Sequence, residues 1–331
     1  MIELSRRALV AGAAGATVTG LLATTMTSPA AAQDAATPAG PAASPIPGAY
    51  RYKVGEARVT AISDGVRTFP MPQGFVRNAS GEAVNDALAA AFLPPDQISI
   101  PFTVLLIETG RRRLLVDTGN GPGQGPVGLL APTLAAIGVA PESIDQVVIS
   151  HFHGDHINGL LTAEGTPAFP NARVFVPEAE WSFWMDDGEA SRAPDRLKGN
   201  FQNVRRVFKP LDGKVERYAW NKEIAPGLVS VGTPGHTPGH TSFELGSGAD
   251  ALFIQSDITN IPALFVANPS WQVMLDMDGV KAAEVRRRTY DRLVADRMNV
   301  AGYHFPFPGA AHLAREGEGY RYVPVMWNPV P

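Results

Sequence analysis

The stretch Ser150-His151-Phe152-His153-Gly154-Asp155-His156 places four side chains able to bind a metal ion within six residues. Neutral imidazoles and carboxylates are the donors that a borderline dication such as zinc selects, and manganese, cobalt and iron accept them too. The apolar run Val147-Val148-Ile149 comes directly before and reads as a buried strand ending in the cluster. Alternate residues of a strand share a face, so His151 and His153 can project together. A turn at Gly154 would then bring Asp155 and His156 round to the same place. The chain has 7 His in all, and three stand here.

Further donors follow. Thr233-Pro234-Gly235-His236-Thr237-Pro238-Gly239-His240 is a loop held tight by its Gly and Pro residues. His236 lies at its first turn off a strand, while His240 reads as a hydrogen-bonded structural residue. Asp257 ends the apolar strand Leu252-Phe253-Ile254, where a lone carboxylate is costly unless paired. His304 sits just past another strand, in Tyr303-His304-Phe305-Pro306-Phe307-Pro308-Gly309. There are no Cys, so disulfides, thiolate metal sites and Cys nucleophiles are excluded.

Those loops need strands to carry them. Arg58 to Ser63 alternates as a strand and ends at the turn Asp64-Gly65. Val104 to Glu108 and Arg113 to Asp117 form a hairpin across Thr109-Gly110, and a Gly/Pro-rich loop runs from Asn120 to Gly128. Strands are expected at Ile144 to Ile149, Ala172 to Val176, Leu228 to Val231, Ser242 to Leu245, Ala251 to Gln255 and Asn299 to Tyr303. Helices are expected at Thr133 to Gly138, Glu178 to Met185 and Val280 to Arg297. With 331 residues, 45% of them hydrophobic, the chain suits one layered α/β domain, assigned to residues 50–331. Residues 1–32 read as a twin-arginine signal peptide: Arg6-Arg7, a small apolar run, then Ala30-Ala31-Ala32. Residues 33–49 read as an Ala/Pro-rich flexible leader. The expected location is periplasmic or secreted, with the twin-arginine export machinery as a partner. A net charge of -4 gives no reason to expect nucleic acid.

The order HxHxDH, PGHTPGH, strand-end Asp and late His before Pro resembles the metallo-β-lactamase superfamily, over roughly Arg58 to Pro324. The resemblance implies an αββα four-layer sandwich with the site at one edge, between its sheets. It makes His151, His153 and His236 ligands of one divalent metal ion, and Asp155, His156 and His304 ligands of a second. Asp257 would bridge both ions, zinc being the first expectation. Asp155 and Asp257 are then the catalytic carboxylates, while Asp64 and Asp117 match carboxylates lying near the site, expected either to back the ligands or to serve a structural role. Two such ions share a water and lower its pKa, and the resulting bridging hydroxide attacks a carbonyl or phosphoryl centre.

Within the superfamily the chain is most similar to the methyl parathion hydrolase branch and its lactonase and arylesterase relatives. Ala168-Phe169-Pro170-Asn171-Ala172, Phe183-Trp184 and Glu318-Gly319-Tyr320-Arg321-Tyr322-Val323-Pro324 carry that likeness, with the leader and the segment after His304. Trp184 and Phe201 match aromatic walls of the substrate pocket there, while Gln124 stands where a third aromatic would lie. That departure speaks against organophosphates. Quorum-sensing lactonases carry a Tyr just after the bridging Asp; Asp257-Ile258-Thr259-Asn260 has none, which speaks against a dedicated acyl-homoserine lactonase. The lack of a Cys ligand speaks against a β-lactamase, and no glutathione-binding tail of a glyoxalase-II-like thioesterase is recognised. The expectation is an exported dinuclear hydrolase, acting on a small-molecule substrate. It would open esters or lactones with apolar or aromatic leaving groups. A phosphotriesterase and a non-catalytic, metal-binding periplasmic accessory protein are the competing readings. A homodimer is compatible with the resemblance.

Overall fold

Successive side chains along the strands of the computed structural model point to opposite faces, and that alternation sets its layers. The structure describes residues 48–326 and residue 328. The expected signal peptide and nearly all of the expected leader lie outside the described residues. Ala49, assigned to the leader, already belongs to the first strand.

Seven strands form the first sheet in sequence order: β1 (Ala49–Val54), β2 (Ala57–Pro70), β3 (Gln97–Thr109), β4 (Arg112–Val116), β5 (Gln146–Val148), β6 (Arg173–Pro177) and β7 (Val215–Tyr218). The pairs from β1 to β4 are antiparallel and those from β4 to β7 parallel. A second sheet of seven comprises β8 (Glu223–Ala225), β9 (Leu228–Gly232), β10 (Thr241–Leu245), β11 (Leu252–Ser256), β12 (Asn299–Gly302), β13 (Ala310–Glu316) and β14 (Gly319–Pro324). Only β11 and β12 pair in parallel there. The helices are α1 (Gly81–Ala90), α2 (Leu130–Ala136), α3 (Gly154–Ile157), α4 (Glu178–Trp184), α5 (Asp187–Arg192), α6 (Asp195–Phe208), α7 (Pro262–Phe265) and α8 (Gly279–Ala295).

Leu105, Ile107, Leu114, Val116 and Val148 face Phe243, Leu245, Leu252 and Ile254 between the two sheets. Their neighbours Val104, Leu106, Leu115 and Val147 point the other way, into a core closed by α1, α2, α4, α6 and α7. Phe253 and Val300 likewise turn outward, onto Val285, Tyr290 and Leu293 of α8. Strand period two therefore yields helix, sheet, sheet, helix, the expected αββα sandwich.

The hairpin of β3 and β4 closes on Thr109 opposite Arg112, with Gly110 at a φ of 60°. Both strands of the β2–β3 pair run well beyond the expected spans, from Arg58 opposite Glu108 to Pro70 opposite Gln97. That extension raises a wall beside the site. Helices α1, α3, α5, α6 and α7 have no counterpart among the expected elements, although α6 buries Leu197, Phe201, Val204, Val207 and Phe208 at helical spacing.

Asp64 fixes the loop between β4 and α2. Its carboxylate is fully buried and accepts from the backbone N–H of Asn120 (2.8 Å), Gly128 (3.3 Å) and Leu130 (2.9 Å), and from Asn120 Nδ2 (3.0 Å). Gly119 has a φ of 79°, and a Cβ there would come within 2.6 Å of the Asp64 carboxyl carbon, so only glycine fits. No hydrogen bond joins Asp64 to the expected ligands. It shapes the loop carrying Asn120 and Gln124, which is the structural one of its two expected roles. Asp64→Ala strands those buried donors and should cost about 2–4 kcal/mol of stability. Urea unfolding checks this: the midpoint should fall with little change in slope.

Candidate metal centre

Every ligand loop leaves the C-terminal end of a strand at one edge of the sandwich. His151 and His153 follow β5, His236 follows β9, Asp257 follows β11 and His304 follows β12. The sheets are tied together there, Thr241 N donating to Ser150 O (3.1 Å) and Thr103 N to Tyr303 O (2.9 Å). Asp117, just past β4, and Ser256, the last residue of β11, have φ of 63° and 51°, a left-handed backbone that non-glycine residues rarely adopt. Strain of this kind gathers where a site over-determines the chain.

Two groups of donors result. His151, His153 and His236 form one, and Asp155, His156, Asp257 and His304 the other, with ligand atoms within 4.8 Å of one another in each. His153 Nδ1 lies 3.1 Å from His151 Nε2 and 2.9 Å from His236 Nε2. Asp257 faces both groups. Its Oδ2 is 3.0 Å from His304 Nε2 and 3.3 Å from His236 Nε2, and its Oδ1 is 3.2 Å from His156 Nε2. Asp155 Oδ2 is 3.6 Å from both His156 and His304.

The far nitrogens decide what the near ones offer. His156 Nδ1 donates to Asp117 Oδ2 (2.8 Å), His236 Nδ1 to Asp276 Oδ1 (2.9 Å), and His304 Nδ1 to Pro101 O (2.9 Å). Ser150 Oγ donates to Asp117 (2.8 Å), leaving its lone pairs to accept from His151 Nδ1 (3.1 Å). A neutral imidazole whose outer nitrogen donates presents a lone pair inward. Lone pairs therefore converge on both centres, and His156 Nε2 and Asp257 Oδ1 are buried with no hydrogen-bond partner. That orphaned pair fits a divalent cation in the second group, as the three facing imidazoles of His151, His153 and His236 fit one in the first, with only nitrogen and oxygen donors in both.

The electrostatics of the bare site set the two groups apart. Burial, then the neighbouring His236, holds His153 down at about 3. Burial and His156 likewise keep His151 well below the usual histidine range. Burial alone would lower His156 and His304, but Asp257 outweighs it and raises both. Burial alone would raise Asp257, yet His304 and His156 hold it well below the carboxylate range.

Other residues brace the ligands. His240 is fully buried; its Nδ1 donates to Thr233 O (3.0 Å) and its Nε2 accepts from Asp257 N (3.0 Å). It orients Asp257, as a structural histidine. Asp117 meets the expectation by holding Ser150 and His156. Sequence reasoning missed Glu180, buried in the first turn of α4, which accepts from Phe152 N (3.0 Å) and Gly239 N (2.7 Å). One carboxylate thereby joins the two histidine loops. Also missed were Asp276 and Arg286. Fully buried Arg286 lies 3.6 Å from Asp276 and donates to Ile258 O (2.8 Å) and Trp271 O (2.7 Å). This brace connects the backing of His236 with the loop after Asp257. Tyr303 stacks on His156, ring centroids 3.9 Å apart, and donates to Asp155 O.

A cavity of about 520 Å³ opens over both groups, a size suited to a small ligand. Arg67, Phe69, Ile100, Phe102, Asn120, Gln124, Asn260 and Met274 are among its walls. Gln124 stands in the pocket as expected. Trp184 and Phe201 do not line it. Trp184 Nε1 donates to Glu180 (2.7 Å), and the two rings pack 4.7 Å apart in the helical core. They are corrected from substrate walls to packing behind His153, because helical spacing turns Phe201 inward with Leu197 and Val204.

Residues 103–285 match the family described as the metallo-beta-lactamase superfamily. An N-acyl homoserine lactonase of a Bacillus species is 26% identical over 178 residues, a match that covers 48% of this chain and only 63% of that relative's length. The crystal structure of the hydrolase AbOPH in the beta lactamase superfamily superposes with a TM-score of 0.80 at 26% identity, over 86% of this chain and 100% of that one. AidC, a dizinc quorum-quenching lactonase solved with its product N-hexanoyl-L-homoserine, matches the fold with a TM-score of 0.80 at 24% identity, over 85% of this chain and 99% of that one.

If Asp276 orients His236, Asp276→Leu should weaken metal binding about 10–100-fold. Competition with a chelator, read by the metal content of the protein, measures this. Unchanged affinity would mean the contact carries no such role.

Proposed function

Because the chain belongs to the metallo-β-lactamase superfamily, we propose that it is an exported, two-metal hydrolase opening lactones and esters of small molecules. The observation that carries this reading is the position of Asp257, its oxygens within 3.0–3.3 Å of His304, His236 and His156 across both groups. His151, His153 and His236 would hold one divalent ion, Asp155, His156 and His304 the other, and Asp257 both, with zinc suited to all seven donors. When bound, such a pair supplies an activated water at neutral pH and polarises the oxygen of the bond under attack.

The chain's own residues do the rest. His240 and the Asp276–Arg286 brace keep Asp257 and His236 aimed, so the donors need little reorganisation. Phe102, its ring centroid 5.2 Å from that of His304, and Ile100 beside it give the cavity an apolar wall that excludes water around the substrate. Asp155 and Asp257 are the carboxylates nearest the reacting centre. The lactonase relative supports a lactone or ester over a phosphotriester, and so does the retreat of Trp184 and Phe201 from the cavity. A complete donor set on both sides of Asp257 weighs against a non-catalytic accessory role. Export rests on Arg6-Arg7 and the small apolar run that follows.

Lactones, aryl esters and aryl phosphotriesters, assayed on one metal-loaded preparation, test the reading. Lactones or esters should be turned over fastest. Asp257→Asn should reduce kcat/KM by about 10³-fold or more while the protein stays folded by circular dichroism. Activity retained in that variant would refute the assigned role of Asp257.

A further inference from the structure

Polar side chains at the end of β11 and on the loop after it divide into two kinds. Gln255 and Thr259 are fully buried and satisfied: Tyr290 Oη donates to Gln255 Oε1 (3.1 Å) and pairs with Thr259 Oγ1. Asn260, next along, is satisfied by nothing. Its residue is 6% exposed, its Oδ1 is buried without a hydrogen bond, and no partner meets its amide nitrogen among the described residues. Yet it lines the cavity alongside Asp155, Asp257 and His304. A buried amide left unpaired destabilises a fold, and native proteins rarely keep one without use.

We propose that Asn260 is a catalytic residue whose amide donates a hydrogen bond to the oxygen that leaves the substrate, which favours aliphatic lactones and alkyl esters. The proposal rests on the hydrolase reading above and deepens it. In that hydrolysis the acyl carbon gains the oxygen of one water and its bond to the leaving oxygen breaks. The leaving oxygen keeps the electron pair of that bond and takes a proton from the water. Asn260 transfers no proton. It stabilises the negative charge gathering on the leaving oxygen, as fixed donors in a dry site do. An aliphatic oxygen bears that charge less easily than an aryl oxide, so it gains more from the donor. The position suits the role, three residues beyond Asp257 on one short loop, beside the group that includes Asp155 and His304.

The test compares wild type with Asn260→Ala, both as full-length, metal-loaded protein. The substrates are a γ-lactone, an alkyl ester and a 4-nitrophenyl ester of the same acyl group. The proposal expects kcat/KM to fall about 100-fold on the lactone and alkyl ester, and less than about tenfold on the nitrophenyl ester. It also expects the metal-free variant to unfold at an equal or higher temperature, since an unsatisfied group has been removed. An equal loss on all three substrates would overturn it, as would a lower unfolding temperature, because either marks Asn260 as packing. If wild type hydrolyses none of the three, the hydrolase reading fails and takes this proposal with it. Hydrolysis of all three with a uniform loss in the variant removes the role of Asn260 alone.

Discussion

Lone pairs held face to face are the constraint on which this structure turns. Three imidazole nitrogens meet within about the length of one hydrogen bond, with His153 Nδ1 at 2.9 Å and 3.1 Å from its two neighbours. One proton can relieve a single such contact, but not three nitrogens at once. Four of the five histidines in the two groups have their outer nitrogens committed to Ser150, Asp117, Asp276 and Pro101 O. The inner nitrogens are left facing the centres, where a cation is the natural partner.

Rigidity follows from how the loops are braced. Each ligand loop leaves a strand end at the edge where Thr241 N reaches Ser150 O and Thr103 N reaches Tyr303 O across the two sheets. Glu180 joins the loop of His151 and His153 to that of His236, and Arg286 joins the backing of His236 to the loop after Asp257. These buried charges are expensive alone, and removing one partner leaves the other uncompensated. What they secure is position, and hydrolysis needs donors held to within about half an ångström. Asn260 fits the same logic with opposite sign: it is an uncharged amide on this loop that the protein leaves unsatisfied.

The sequence made the metal donors legible because metal chemistry restricts residue type and strand geometry restricts spacing. His151, His153, Asp155 and His156 lie on one short segment, and His236, Asp257 and His304 each sit just beyond an apolar run. Layering was legible for the same reason, since alternation in β3, β4 and β11 sorts side chains between two cores. The braces were not. Glu180 and Arg286 look like ordinary helical charges until α4 and α8 are packed, and Asp276 meets His236 only because Met277 N and Asp278 N donate to the His236 loop. Trp184 and Phe201 were misplaced because an aromatic in sequence does not say which face of its helix it occupies. For Phe201 the helical spacing of Leu197, Phe201, Val204, Val207 and Phe208 carries that answer.

Metal stoichiometry tests the central claim most directly, because two converging groups sharing one carboxylate make sense only as a pair of cation sites. Elemental analysis of the purified protein, after exchange into metal-free buffer, should find close to two divalent ions per chain. A value of about one or less, unchanged on adding zinc or manganese, would contradict the account.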